Sequence, residues 1–571
     1  MESWVVSTNV ARCRDCYRCV RTCPVKAVRV QEGQAQVVPE LCIACGSCVL
    51  ACPQEAKVVR DDTEVVRQAI RDGRTVVASV APSAPAYFGM KVFTQMEQVL
   101  TTLGFTAAGE TAYGAEMVGH AHREVVDQAE ERWPLIASSC PVVVNLVEKY
   151  YPDLISHLAP IVSPLIAHGR WLREQYGDDV YVVFIGPCIA KKAEIFEEPV
   201  AGEIDAALTF AELETWMAGE EIEWPAWEDD EPVTRSYARL FPVEGGLVGT
   251  ADMDTDILAG DIVTTSGLEA CEDALRGIRS GNLGARLLEL MACEGGCING
   301  PAMGEDEGVS LARQRIIEYA SRRQPTTLPT RADWPDLTRA YTDKRSAAPE
   351  FTKEQIEEVL HMVDKYEPED ELNCGACGYP TCRDKAIATL RGMAEATMCV
   401  PYMRRRADSL RQVVMDVTPN GIIIVDNDLH VQEMSPSAEK TLQCHLPRVI
   451  GRPLKTILPV IDGFVHVRNT GESIISKTVR LRDDLIVEQT IVPVPGQSLM
   501  VSIMRDITER VQQKDQMDHI REETLERTQA VINKQMRVAH EIAQLLGETT
   551  AETKMMLARL ARTLEESENG K

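Results

Sequence analysis

Cys13-Arg14-Asp15-Cys16-Tyr17-Arg18-Cys19-Val20-Arg21-Thr22-Cys23-Pro24 and Cys42-Ile43-Ala44-Cys45-Gly46-Ser47-Cys48-Val49-Leu50-Ala51-Cys52-Pro53 decide how the amino-terminal region folds. Both stretches read C-x2-C-x2-C-x3-C-P. Three closely spaced thiolates hold three corners of a cubane cluster, and in a doubled run the fourth cysteine serves the other cluster. Cys13, Cys16, Cys19 and Cys52 are therefore expected to hold one 4Fe-4S cluster, and Cys42, Cys45, Cys48 and Cys23 a second. Thiolate is the soft ligand that such clusters select. CxxC pairs also bind zinc, but the third cysteine of each run and the C-P step weigh against zinc. Two adjacent clusters with no substrate pocket of their own form an electron wire that must deliver to something.

The rest of the chain is large enough to supply that destination. Its 571 residues exceed one hydrophobic core, and about three to five domains are expected. Apolar residues make up 44% and aromatic residues 5%. Against 60 basic residues stand 87 acidic ones, a net charge of −27. That balance argues against nucleic acid or an anionic membrane as the main partner. Met1 to Val10 shows no apolar leader, and no run approaches the ~18–20 apolar residues of a membrane span. Eighteen cysteines without an export signal point to metal rather than disulfides. Air-sensitive clusters imply an anaerobe's cytoplasm.

From about residue 75 short apolar strands alternate with amphipathic helices. Strands are expected at 74–80, 135–138, 181–185 and 206–208, and helices at 92–103 and 142–150. This is α/β order with parallel pairing, in which ligands sit beyond the carboxyl ends of strands. Ala81-Pro82-Ser83, Ser138-Ser139-Cys140-Pro141 and Gly186-Pro187-Cys188-Ile189-Ala190-Lys191-Lys192-Ala193-Glu194 fall at such ends. A fourth stretch is Met291-Ala292-Cys293-Glu294-Gly295-Gly296-Cys297-Ile298-Asn299-Gly300-Pro301. Cys140 or Cys188 alone reads more readily as a buried apolar residue than as a ligand. Cys293 and Cys297 say more, because the glycines between them let backbone approach a bulky group. Four cysteines converging from strand ends would make one more cubane site.

Cys374, Cys377, Cys382 and Cys399, spaced C-x2-C-x4-C-x16-C after a charged helical segment at 351–366, predict a further 4Fe-4S cluster, with zinc as the alternative. Sixteen cysteines are then ligands, and Cys271 and Cys444 read as ordinary buried thiols. His445 beside Cys444 is weak evidence for a ligand. From 408 to 510 no cluster motif occurs. Strands are expected at 421–425, 431–434, 475–482, 485–493 and 498–505, with a helix starting at Ser435-Pro436-Ser437. Residues 511–571 form a charged, proline-free helix whose loose seam of Val511, Ile520, Leu525 and Val531 suits a dimeric coiled coil or packing on its own chain. His540-Glu541 faintly resembles a kinase phosphoacceptor, but no phosphate-binding GxxxxGK loop accompanies it.

The amino-terminal runs resemble bacterial two-cluster ferredoxins. The four central stretches, in their order, resemble the catalytic domain of the FeFe-hydrogenases over about 75 to 320. That resemblance implies an H-cluster, a 4Fe-4S cube bridged by one cysteine to a two-iron site carrying CO and cyanide. Cys140, Cys188, Cys293 and Cys297 would ligate the cube, with Cys297 as the bridge. Lys191 and Ser83 match residues that hydrogen-bond the cyanides, Met291 a methionine packed on the two-iron site, and Glu194 the acid that closes the second motif. Four positions depart from the family. Ser139 replaces a proton-relaying cysteine, Gly186 a methionine and Leu165 a glutamine, and Asn299-Gly300-Pro301-Ala302-Met303 replaces a glycine-rich end. A thiol with a pKa of about 8.5 exchanges protons near neutrality, whereas a hydroxyl does so poorly. Slow turnover or an altered redox poise is expected, with Glu194 as an alternative relay.

The 374–399 stretch resembles the small 4Fe-4S module of electron-transfer complexes and corrinoid proteins. Residues 408–510, closing on Asp506-Ile507-Thr508, resemble a PAS domain with an unknown ligand. The expected architecture is multidomain α+β and α/β. It comprises a ferredoxin domain at 1–62, an H-cluster domain at 63–345, a small helical cluster domain at 346–407, a PAS domain at 408–510 and a helical tail at 511–571. The reading that follows is a sensory FeFe-hydrogenase of low turnover. Its expected partners are hydrogen, protons, a redox protein such as ferredoxin, a downstream signalling protein and a second copy through the tail. The alternatives are a ferredoxin-linked catalytic hydrogenase and a non-catalytic iron–sulfur protein like the hydrogenase-like assembly factors.

Overall fold

The computed structural model describes residues 4–129, 134–226, 236–253, 260–304, 308–321, 334–347 and 349–568. The chain divides into two compact units, Met1–Met403 and Arg404–Lys571.

In the first unit the two cysteine runs enter short helices, Arg18–Thr22 and Ser47–Leu50. These sit among two antiparallel pairs, Val6–Thr8 with Lys57–Val59 and Val28–Gln31 with Gln34–Val37. The central region carries two parallel sheets rather than one. The larger runs in the order Ala107–Glu110, Val76–Val80, Tyr181–Gly186, Ala206–Thr209. The smaller runs Ile262–Ser266, Leu287–Met291, Leu135–Ile136. Val76–Val80, Tyr181–Gly186 and Leu287–Met291 are buried along their whole length, the continuous run expected of parallel strands covered on both faces.

The strand expected at 135–138 stops at Ile136. Ser138 turns out of the sheet because its hydroxyl donates to the Ile161 carbonyl at 2.7 Å. The strand expected from residue 74 begins at Val76. The small cluster region holds two helices, Lys353–His361 and Cys382–Leu390. The first stops short of the expected residue 366. Asp370 caps the following turn by accepting from the Tyr366 and Glu367 amides at 3.0 and 3.1 Å. This region packs on the ferredoxin part: the Val30 amide donates to the Met393 carbonyl at 2.9 Å.

The second unit is built on a five-stranded antiparallel sheet. Its order is Val431–Met434, Gly421–Asp426, Leu499–Asp506, Leu485–Pro493, Ile474–Arg482. Ile423, Val425, Phe464, Val487 and Ile491 form its core. Cys271 is buried as expected, but Cys444 is only half-buried, its Sγ 3.6 Å from Met434 Sδ. The helix Thr508–Glu568 follows. From Gln512 onward every described side chain on it is exposed, so it does not pack on its own chain. No helix among the described residues is long and apolar enough to cross a membrane.

Candidate active site and cluster sites

Three strand ends deliver the central cysteines. Cys140 follows Leu135–Ile136 and precedes the helix Pro141–Tyr150. Cys188 follows Tyr181–Gly186 and precedes the helix Ile189–Glu194. Cys293 and Cys297 follow Leu287–Met291. All four line one recess of about 680 Å³, together with Ser139, Lys191, Glu289 and Met291. An adjoining recess of about 520 Å³ shares Ser139, Cys188, Lys191 and Cys297 and adds Ser83, Leu165 and Phe184. The two recesses therefore meet at Ser139, Lys191 and Cys297.

Burial and the crowding of like thiolates raise Cys188, Cys293 and Cys297. Cys188 is pushed up to about 11, partly offset by Lys191. Cys297 and Cys293 are raised, first by burial and then by their neighbours. Four thiolates in one apolar recess are stable only around a cationic core, and an iron–sulfur cube supplies one. The hydroxyls of Ser83 and Ser139 are buried without a hydrogen-bond partner. Unpartnered buried polar groups cost about 1–3 kcal/mol each, so two of them lining the adjoining recess fit a resident group with polar ends. Donor set and orphan hydroxyls both fit an H-cluster.

Glu194 lines neither recess. It stands behind Lys191, whose Nζ donates to it at 2.9 Å, and accepts from Arg339 at 3.1 Å. Burial pushes the Glu194 carboxyl up, but Lys191 and Arg339 together outweigh it and hold the group below the usual range. A carboxylate held this way positions Lys191 and carries a proton poorly, against its expected role as a relay.

Gly186 has a structural partner for its missing side chain. A Cβ there would stand 2.4 Å from Phe184 Cζ, so the Phe184 ring fills that volume. Gly296 lies at φ +102°, and a Cβ would meet the Pro242 carbonyl oxygen at 2.3 Å. Only glycine allows this turn between Cys293 and Cys297.

Three functional groups were not anticipated from sequence. Glu289 is buried in the cysteine recess, its carboxylate accepting from the Leu247 and Val248 amides at 3.1 and 3.3 Å. Burial lifts it to about 7, making it a carboxyl beside the cluster recess that can exchange a proton near neutrality. Arg339 completes the Glu194 pair from outside the four motifs. His122 is fully buried; its Nδ1 donates to the Val118 carbonyl at 2.7 Å and its Nε2 accepts from the Ser138 amide at 3.4 Å. The one signal available for Glu289 was its place two residues before Met291, on the same face of a strand.

The other cysteines also gather. Cys23 lines a single recess of about 350 Å³ with Cys42, Cys45 and Cys48, the crossed pairing expected of the doubled run. The Cys23 and Cys52 sulfurs each accept a backbone amide at 3.2 Å, from Ala27 and Ala56. Cys13 and Cys16 lie close enough to Cys19 to raise it further after burial. Cys374, Cys377, Cys382 and Cys399 line a recess of about 460 Å³ with Lys365 and Lys385. Gly46 joins the ferredoxin part to the central site. A Cβ there would lie 2.6 Å from Pro301 Cβ and 2.9 Å from Ile189 Cδ1, so one cluster loop seats directly on the loops after Cys297 and Cys188.

Residues 74–301 match the family described as iron only hydrogenase large subunit, C-terminal domain. This segment is FeFe-hydrogenase-like. Residues 6–53 match the 4Fe-4S dicluster domain, and 370–401 match an iron–sulfur cluster family. Among curated proteins, the chain is 26% identical over 391 residues to the NADP-reducing hydrogenase subunit HndD of Solidesulfovibrio fructosivorans, covering 55% of this chain and 67% of that one. It is 27% identical over 376 residues to the periplasmic iron hydrogenase large subunit of Nitratidesulfovibrio vulgaris, covering 54% and 89%. It is also 28% identical over 182 residues to the cytosolic Fe-S cluster assembly factor NAR1 of Eremothecium gossypii, covering 29% and 40%. The chain is thus a hydrogenase-like iron–sulfur protein whose relatives include both hydrogenases and assembly factors.

Proposed function

We propose that the chain is a sensory FeFe-hydrogenase. In this reading it reacts reversibly but slowly with hydrogen and passes the resulting redox state through its 4Fe-4S clusters to a PAS-like second unit. The observation that carries this is the pair of orphaned hydroxyls, Ser83 and Ser139, in the recess continuous with the cysteine site. A protein holding only a cube would leave that adjoining space and its polar lining without a use.

Cys140, Cys188, Cys293 and Cys297 would hold the cube, with Cys297 shared between both recesses. The H-cluster, when bound, supplies the iron centre at which hydrogen is split and electrons are released. Lys191, fixed by Glu194, presents its ammonium group to both recesses. Ser83 and Ser139 offer hydroxyl donors, and Met291 packs the wall. Ser139 holds its proton tightly, which limits exchange at the place where the family carries a thiol. Glu289 holds or releases a proton at the recess wall and offers a slower substitute. The order of packing, from the central site through Gly46 to the ferredoxin clusters and on to the 374–399 cluster, favours electrons leaving in that direction.

The assembly-factor reading is favoured by one feature, the shared stretch with NAR1-type relatives. The two readings part on exposure of the matured, oxidised protein to hydrogen. A sensory hydrogenase bleaches its cluster absorbance over minutes under hydrogen; an assembly factor leaves the spectrum unchanged.

A further inference from the structure

Two buried lysines, Lys365 and Lys385, line the recess formed by Cys374, Cys377, Cys382 and Cys399. Lys365 is 5% exposed and Lys385 4%. Lys365 Nζ donates to the Asp370 carbonyl and Lys385 Nζ to the Ala396 carbonyl, each at 2.6 Å. The region's ion pairs are Lys353–Glu357 and Arg383–Glu371, and neither buried lysine takes part among the described residues. The two lysines instead act on one another as like charges, and Lys385 is drawn to the sulfurs of Cys399, Cys377 and Cys382.

A buried, unpaired ammonium costs several kcal/mol, and two side by side cost more. Such an arrangement needs a resident anion. A 4Fe-4S cube on four thiolates is dianionic when oxidised and trianionic when reduced, so it answers both cations and gains most from them in the reduced state. Cluster potential is set by net charge, hydrogen bonding and exposure, and a nearby buried cation favours the form that carries the extra electron.

The ferredoxin part is wired differently. One buried lysine, Lys57, lies between both of its clusters, its Nζ donating to Thr8 Oγ1 at 2.7 Å and the Ala35 carbonyl at 2.6 Å. Its charge reaches Cys19 and Cys52 on one side and Cys48 on the other. Half-buried Lys26 stands between Cys23 and Cys377, and Lys149 lies beside Cys42. Of the buried lysines among the described residues, Lys57 is the one that acts on the cysteines of the Cys13, Cys16, Cys19 and Cys52 cluster.

We propose that Lys365 and Lys385 raise the reduction potential of the 374–399 cluster above that of the cluster held by Cys13, Cys16, Cys19 and Cys52, so that an electron from that cluster comes to rest on the small one. One electron moves; a ferredoxin cluster is oxidised, the small cluster is reduced, and no bond is made or broken. The route is one of direct packing, since a Cβ at Gly378 would lie 3.1 Å from the Arg21 amide nitrogen and Tyr379 is buried near both Cys377 and Cys23. The resting electron would then sit on the cluster whose last ligand, Cys399, directly precedes the helix Val400–Val417. The proposal rests on the reading above for the presence of the clusters, and not for any reaction with hydrogen.

The test is an anaerobic dithionite titration of the cluster-loaded full chain followed by electron paramagnetic resonance. The small cluster's signal is assigned by its loss in Cys382→Ser. The expected order is reduction of this cluster before that of Cys13, Cys16, Cys19 and Cys52. Lys365→Gln and Lys385→Gln should each disfavour its reduction by about tenfold, about 59 mV for one electron, while Lys385→Arg restores the native value. Reduction of the small cluster after that ferredoxin cluster would overturn the proposal, as would unshifted Gln variants with full iron content. If a Gln variant fails to hold iron, the order in the native chain decides alone. Because dithionite replaces hydrogen, the outcome is independent of whether the two-iron site exists.

Discussion

At the scale of single residues, the site is defined as much by Ser139 as by its cysteines. Its hydroxyl is buried, unpartnered and common to both recesses. Ser139→Cys is expected to raise hydrogen evolution by about a hundredfold, the lower end of the range for a positioned acid–base group; an unchanged rate would mean that proton delivery does not limit turnover. His122 has a different role. It holds the Ser138 amide from below, and burial lowers its pKa to about 4. A histidine depressed in the fold contributes stability that is present above its unfolded value of about 6.5 and is lost as pH falls toward 4. Wild-type protein should lose about 1.4 kcal/mol per pH unit across that window from this group. Thermal unfolding of His122→Gln should show a shallower pH slope; an identical slope would remove His122 from the account.

The residue scale also shows what the sequence could and could not reveal. The cysteine runs are legible because cluster ligation demands fixed local spacing. Ser83, Lys191 and Met291 are legible through motif resemblance. Glu289, His122 and Arg339 are not, because each acts on partners far away in the chain: Leu247, Ser138 and Glu194. Gly186 reads as a loss in sequence, but the fold shows the Phe184 ring occupying the space.

At the scale of elements, the parallel strands Val76–Val80, Leu135–Ile136, Tyr181–Gly186 and Ala206–Thr209 were legible from their apolar runs, whereas Ala107–Glu110, Ile262–Ser266 and Leu287–Met291 were not. Ala107-Ala108-Gly109 offers little β signal. The tail helix was legible as a helix, and Ile520, Leu525 and Val531 of its expected seam are exposed on it. Ile532, Leu546 and Leu560 repeat at multiples of seven, with Ile542 and Met556 between them, and all five are exposed. That is the pattern of a coiled-coil stripe. Sedimentation should give a dimer for the full chain and a monomer for a chain ending at Arg510; a monomeric full chain at micromolar concentration would reject the pairing.

At the scale of the whole molecule, the first unit arranges its cysteine sites in a packed series. The loop of Cys45 and Gly46 seats on the loops of Cys188 and Cys297, and the 374–399 region packs against the Cys19–Cys23 helix. The central claim is that the recess beside Cys297 holds a two-iron group carrying CO and cyanide. Infrared spectroscopy of anaerobically matured protein, with and without hydrogen, tests it most directly. The account predicts metal-bound CO and cyanide bands that shift under hydrogen. Full iron loading with co-expressed maturases and no such bands would contradict it and leave an electron-transfer or assembly protein.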